Sequence, residues 1–150
     1  MVTRDLRWGI GYHTWKLVEH LQRFGVKVDV FIGGGNLATC RLVKKIRGYD
    51  LIHVQGSPFG AFGNPEIPII VTVHTLLKTE FKYQKDLKFL VGRIFERKTL
   101  EKAEKVIAVN QVLVDELIRD YHVAKDKIYH IPNGIDPQDF DPPNFGERED

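Results

Sequence analysis

A single cysteine, Cys40, excludes an internal disulfide framework from this 150-residue chain. It lies in LATCRLVKKI, a stretch with helical spacing where a small thiol reads as a buried apolar side chain. A reducing cytosol is the simplest setting for it. No apolar run approaches the ~18 residues of a membrane span, and the opening MVTRDLRWG lacks the apolar segment of a secretory leader. Neither sign of charge dominates. With 22 basic and 20 acidic residues, the net +2 is too mild for a nucleic-acid binder, and no nucleic-acid partner is expected. The sequence holds no Walker A loop, no HExxH pair and no GxSxG elbow, since Ser57 sits in GSPFG. His13, His20, His53, His122 and His130 show no metal-binding spacing, so neither a metal nor a covalently bound cofactor is expected.

Short β-branched runs are what the sequence does supply. DLIHV (50–54), PIIVTV (68–73) and KVIAV (105–109) are apolar on both faces, as parallel strands covered by helices on both sides are. VKVDVFI (26–32) alternates more clearly, KIYHI (127–131) supplies a last strand, and MVTR a short first one. Between them lie helical patterns. In YHTWKLVEHLQRFG the residues Trp15, Val18, Leu21 and Phe24 recur every three or four positions, and Gly25 provides a stop. LATCRLVKKIRG stops likewise at Gly48, a long charged connection follows at about 79–103, and QVLVDELIRDYHV is compact. Alternating strands and helices predict an α/β domain, a Rossmann-like doubly wound parallel sheet with helices on both faces. It spans residues 1–136. Pro137, Pro142 and Pro143, set among acids, make 137–150 a linker or frayed tail.

In open α/β sheets ligands bind beyond the carboxyl ends of the strands, so the residues that follow each strand carry the functional question. WGIGYH places Gly9 and Gly11 before a helix, where free backbone N–H groups can hold a phosphate; an ordinary strand-to-helix turn fits that pattern equally well. A dinucleotide fingerprint would need a third glycine where Thr14 stands and an acid where the second strand ends in Gly33, Gly34 and Gly35. Gln55 follows the third strand, His74 the fourth and Asn110 the fifth. An imidazole at 74 can hydrogen-bond a sugar hydroxyl or steady charge beside a reacting centre, or it can be a half-buried side chain of no special role. In residues 78–105, Lys78, Lys82, Lys85 and Arg93 fall on one side of a helical wheel and Leu87, Leu90, Val91 and Ile94 on the other. That arrangement favours a solvated face above a core-facing stripe. The sharper reading is attraction to anionic lipid headgroups or a phosphorylated acceptor.

Taken in order, the glycine-bearing turn, YDLIHVQ, IPIIVTVH, AEKVIAVNQVLVDEL and KIYHIPNGIDPQDF resemble the N-terminal domain of GT-B glycosyltransferases, most closely family 4, the retaining glycogen-synthase and mannosyltransferase-like group. VTVH together with IPNGID is the strongest part of that resemblance, which covers nearly the whole chain. It implies two Rossmann-like domains facing across a cleft, with IPNGID leading through the linker into a C-terminal donor-binding domain absent from this sequence. It also implies that Gly9 and Gly11 approach the diphosphate of a nucleotide-sugar donor, that His74 faces the transferred sugar, and that Gln55 and Asn110 line the cleft. Gln55 stands where the family often has histidine, and Asn110 where serine is usual.

The function implied is the N-terminal half of a retaining, nucleotide-sugar-dependent transferase that moves a hexose to a glycan, lipid or small-molecule acceptor. The half would be inactive without its donor domain, cytoplasmic, and in peripheral contact with the inner face of the membrane through residues 78–105. Two alternatives are a subunit of a two-chain transferase and a stand-alone module that binds a glycan or phosphorylated ligand. A module would bind its ligand tightly with no second domain.

Overall fold

The computed structural model describes residues 1–3, 8–33, 36–86 and 88–135. The expected linker 137–150 and Leu87 lie outside them. The chain runs β1 (Val2–Thr3), α1 (Trp8–Arg23), β2 (Phe31–Ile32), α2 (Asn36–Lys45), β3 (Ile52–Gln55), β4 (Ile69–Val73), α3 (Leu77–Gln84), α4 (Lys88–Lys102), β5 (Lys105–Ala108), α5 (Gln111–Tyr121) and β6 (Ile128–His130), with 3-10 turns at Phe59–Phe62 and Lys125–Lys127. The six strands form one sheet in the order β2-β1-β3-β4-β5-β6, and every pairing is parallel. This is the predicted Rossmann-like α/β fold.

Parallel pairing needs a crossover connection at each step, here carried by α-helices except between β3 and β4, where the 3-10 turn Phe59–Phe62 serves, and right-handed crossovers decide which face each covers. Only the step from β1 to β2 moves toward one sheet edge; every later step moves toward the other. α1 therefore covers one face, and α2, α4 and α5 the opposite one. The apolar cluster agrees: Val43 of α2 with Ile46 just past its end, Leu100 of α4 with Ala103 just past its end, and Leu113, Leu117 and Tyr121 of α5 join Val54, Val71, Val73, Val106 and Ala108 of the strands, with no residue of α1. Each such aliphatic side chain stabilises the fold by about 1.5–3 kcal/mol relative to exposure. Cys40 is buried as expected, its thiol 3.7 Å from the Pro58 carbonyl.

Helix ends follow local chemistry. Gly25, at φ +79°, closes α1: its N–H donates to the Gln22 carbonyl (2.9 Å) and the Val26 N–H to that of Leu21 (3.1 Å). Those two bonds form a Schellman cap, which needs the left-handed residue that glycine supplies. At α5 the side-chain oxygen of Asn110 accepts from the Leu113 N–H at 2.9 Å, an N-cap.

Three expectations need correction. The strand foreseen at 26–32 is only Phe31–Ile32, because β1 offers just Val2 and Thr3 to pair with it. On α1 the inward residues are Gly11, Thr14 and Val18, whereas Trp15 and Phe24 are 59% and 85% exposed. Bulky apolar spacing was right for Val18 and wrong for Trp15 and Phe24, because the rest of the inward stripe is made of the small Gly11 and Thr14. The long charged connection is two helices rather than one. Lys85 takes the left-handed conformation (φ 51°) and ends α3, so a single wheel drawn across 78–105 loses phase. α4 turns Glu96, Thr99 and Leu100 inward and leaves Leu90, Val91 and Ile94 exposed.

Candidate active site at the sheet rim

β1 and β3 are neighbours, yet the chain leaves them in opposite directions, toward β2 and toward β4. This is the switch point where open α/β sheets bind ligands. Gly9 and Gly11 belong to the first turn of α1 rather than to a loop before it. The leading N–H groups of a helix have no partner within it, so the exposed Gly9 presents a donor at the positive helix end, whereas Gly11 is buried. A Cβ added to Gly9 would meet no protein atom within 4 Å, so packing gives no reason for glycine there.

Side chains alternate along a strand, and the register pairs His53 with Ile70 and Gln55 with Thr72. His53, Gln55, Thr72 and the following His74 thus share the face under α1. This face is polar where the opposite one is apolar. His74 Nε2 lies 3.0 Å from Gln55 Oε1. The Gln55 amide nitrogen is 3.4 Å from His53 Nε2 and 3.7 Å from the Met1 sulfur, and Thr72 Oγ1 is 2.7 Å from His53 Nε2. From above, the His13 ring of α1 meets that of His74 edge-on, centroids 4.9 Å apart. His13 lies two residues beyond Gly11 on the same helix, so the glycine-bearing turn and His74 border one rim.

Charge is suppressed here. Burial, then the neighbouring His13, lowers the His74 pKa to about 4. Burial, then the charge of the chain's amino terminus and the other two histidines, lowers His53 to about 4. Burial also lowers His13. Near neutral pH all three rings are uncharged, so His74 offers a hydrogen bond rather than a cation.

Behind the rim, on the apolar side, lies a polar junction that the residue pattern did not suggest. The buried Glu96 carboxylate of α4 accepts from Ser57 Oγ after β3, from the Tyr121 hydroxyl of α5, and from the Leu77 N–H (3.1 and 3.3 Å) that opens α3. Gly56, at φ +116°, turns the chain between Gln55 and Ser57; a Cβ there would stand 2.7 Å from the Phe59 ring. Asn110, expected on the cleft, stands exposed after β5 with its oxygen used in the α5 cap. His13 belonged to the candidate stretch after the first strand, and the structure gives it its partner, whereas Thr72 joined the site through structure alone. Alternation along DLIHVQ and IIVTVH, laid side by side, carried a signal for Thr72. Among the described residues, no group of three or more His, Cys, Asp or Glu side chains could hold a metal ion, and no helix is long and apolar enough to cross a membrane.

No curated protein matches the chain. A family model described as Glycosyltransferase Family 4 matches residues 36–139, a span that holds Gln55, His74 and Asn110 and leaves out Gly9, Gly11 and His13. Because that match covers more than half of the chain and coincides with an all-parallel α/β domain, the chain belongs to Glycosyltransferase Family 4.

Proposed function

We propose that this chain forms the acceptor-side wall of a retaining transferase that moves a hexose from a nucleotide sugar to an acceptor, with a C-terminal donor-binding domain as the opposite wall. The observation that carries this reading is the contact of His13, in the second turn of α1 and two residues beyond Gly11, with His74 at the switch-point rim. In this reading the free N–H groups around Gly9 and Gly11 receive the donor diphosphate, and the space around Gly9 lets it come close. Neutral His74 hydrogen-bonds a hydroxyl of the transferred sugar. The leaving phosphate takes the acceptor proton, so positioning does most of the catalytic work and a half site is inactive. The assay is transfer from a panel of labelled nucleotide sugars by a polypeptide carrying both domains. Transfer is expected there and not from the isolated 150-residue chain; a two-domain protein that transfers no sugar overturns the reading.

The exposed face of α4 favours a lipid-linked acceptor and peripheral membrane contact. Leu90, Val91 and Ile94 are 40%, 59% and 59% exposed, and the next turn presents the exposed Arg97 and Lys98. Apolar side chains beside basic ones suit the boundary of an anionic bilayer, where each cation adds about 1 kcal/mol. Co-sedimentation should show binding to anionic vesicles over neutral ones, weakened about tenfold by the triple change of Leu90, Val91 and Ile94 to Asn. Equal binding to both vesicle types would rule this contact out.

A further inference from the structure

We propose that Gln55 is a positioning residue that holds His74 in its Nε2–H tautomer and so makes Nδ1 the nitrogen that accepts a hydrogen bond from substrate. The inference rests on the reading of His74 as a group that contacts the transferred sugar.

The orientation of the Gln55 amide is set at Met1. Its thioether is an acceptor, so the end of the Gln55 amide facing it, 3.7 Å away, is the NH₂ group. The same nitrogen faces His53 Nε2 at 3.4 Å. That leaves Oε1 toward His74, and a carbonyl oxygen can only accept. At 3.0 Å, His74 Nε2 must therefore carry the proton. Because the ring is neutral, its other nitrogen then keeps a lone pair.

The arrangement is anchored from below. His53 Nε2 accepts from the Thr72 hydroxyl (2.7 Å), which puts the His53 proton on Nδ1 and leaves an unprotonated nitrogen facing the Gln55 amide NH₂ at 3.4 Å. Gln55 is only 1% exposed and lies on β3 between β1 and β4, so its amide has little freedom to reverse. The remaining titratable groups of the cluster, His13 above and the amino terminus of Met1 beside β2, are not bonded to Gln55 Oε1. A neutral acceptor at position 55 fixes the tautomer without charging the imidazole, as an anionic acceptor would tend to do. Nδ1 then accepts from a hydroxyl and cannot donate to one. This orients any sugar hydroxyl that meets it.

Nitrogen NMR on the histidine-labelled 150-residue chain tests this with no substrate present, because protonated and unprotonated ring nitrogens have distinct shifts. In the wild type, His74 should show Nε2–H over Nδ1–H by about tenfold, the preference that one net hydrogen bond provides. Gln55→Leu should bring the two forms toward equality, and Gln55→Glu, which restores an acceptor oxygen, should restore the preference when recorded at a pH high enough to keep the imidazole neutral. An Nδ1–H ring in the wild type, or a ratio that Gln55→Leu leaves unmoved, overturns the proposal. So does a ratio lost equally in both variants, since side-chain shape rather than the acceptor would then be responsible. The wild-type spectrum decides even if a variant does not fold. The readout needs no turnover, so failure here would leave the transferase reading standing, and absence of transfer would leave the tautomer result standing.

Discussion

Glu96→Ala is expected to destabilise the domain by about 3–5 kcal/mol, the scale of leaving three buried donors without an acceptor at about 1–3 kcal/mol each. A typical fold has only ~5–15 kcal/mol in all. Three donors converge on this carboxylate: Ser57 Oγ, the Tyr121 hydroxyl and the Leu77 N–H. Alanine would leave them buried and unpaired and open a cavity among α3, α4 and α5. Urea unfolding followed by circular dichroism measures the loss, and a change under about 1 kcal/mol would show that the junction matters little. A second variant separates charge from shape. Burial raises the Glu96 pKa, and the hydrogen bonds from Ser57, Tyr121 and Leu77, with the nearby Arg93, only partly oppose that rise. A carboxyl raised in the folded state adds stability that is full below its ordinary value of 4.5 and is lost as pH rises through the folded value. Glu96→Gln lacks this contribution. Its deficit against the wild type should be largest in acid and should narrow as pH increases.

His74→Ala, placed in the two-domain enzyme, should lower kcat/KM for sugar transfer by roughly a hundredfold, the scale of one well-placed hydrogen bond to a reacting group. The circular dichroism spectrum should not change, since the His74 side chain is only half-buried and lies outside the apolar cluster. pH sharpens the test. Burial and His13 hold His74 at about 4, so its protonation adds no step to the pH–rate profile between pH 6 and 8. A step near 6.5 that disappears in His74→Ala would mean the imidazole works as a cation, and the hydrogen-bond role would be wrong.

Much of this architecture can be read from residue order, for a physical reason. Buried parallel strands must be apolar on both faces, so IIVTV and KVIAV stand out from the helices around them, and the residues that follow them fall at one rim of the sheet. Gly25 and Gly48 mark helix ends because only their backbones take positive φ without strain. The rest depends on contacts between segments far apart in the chain. Glu96 looks like one more charge on a charged helix until Ser57 and Tyr121 arrive from 39 and 25 residues away. The inward face of α1 escapes a search for bulky apolar spacing because it is made of Gly11, Thr14 and Val18. The wheel across residues 78–105 fails at a single left-handed residue, Lys85, a conformation that lysine rarely takes.

α3 buries no side chain of its own. Its tethers are the Leu77 amide on Glu96 and the Lys78–Asp120 ion pair at 2.9 Å. Swinging it outward would uncover only partly buried apolar contacts, such as Leu77 against Gly92, so local opening there takes less free energy than melting the domain. The wall beside His74 therefore has a yielding flank next to a stiff β-sheet floor, and bulk in an incoming molecule can be accommodated by the flank while the floor keeps its register.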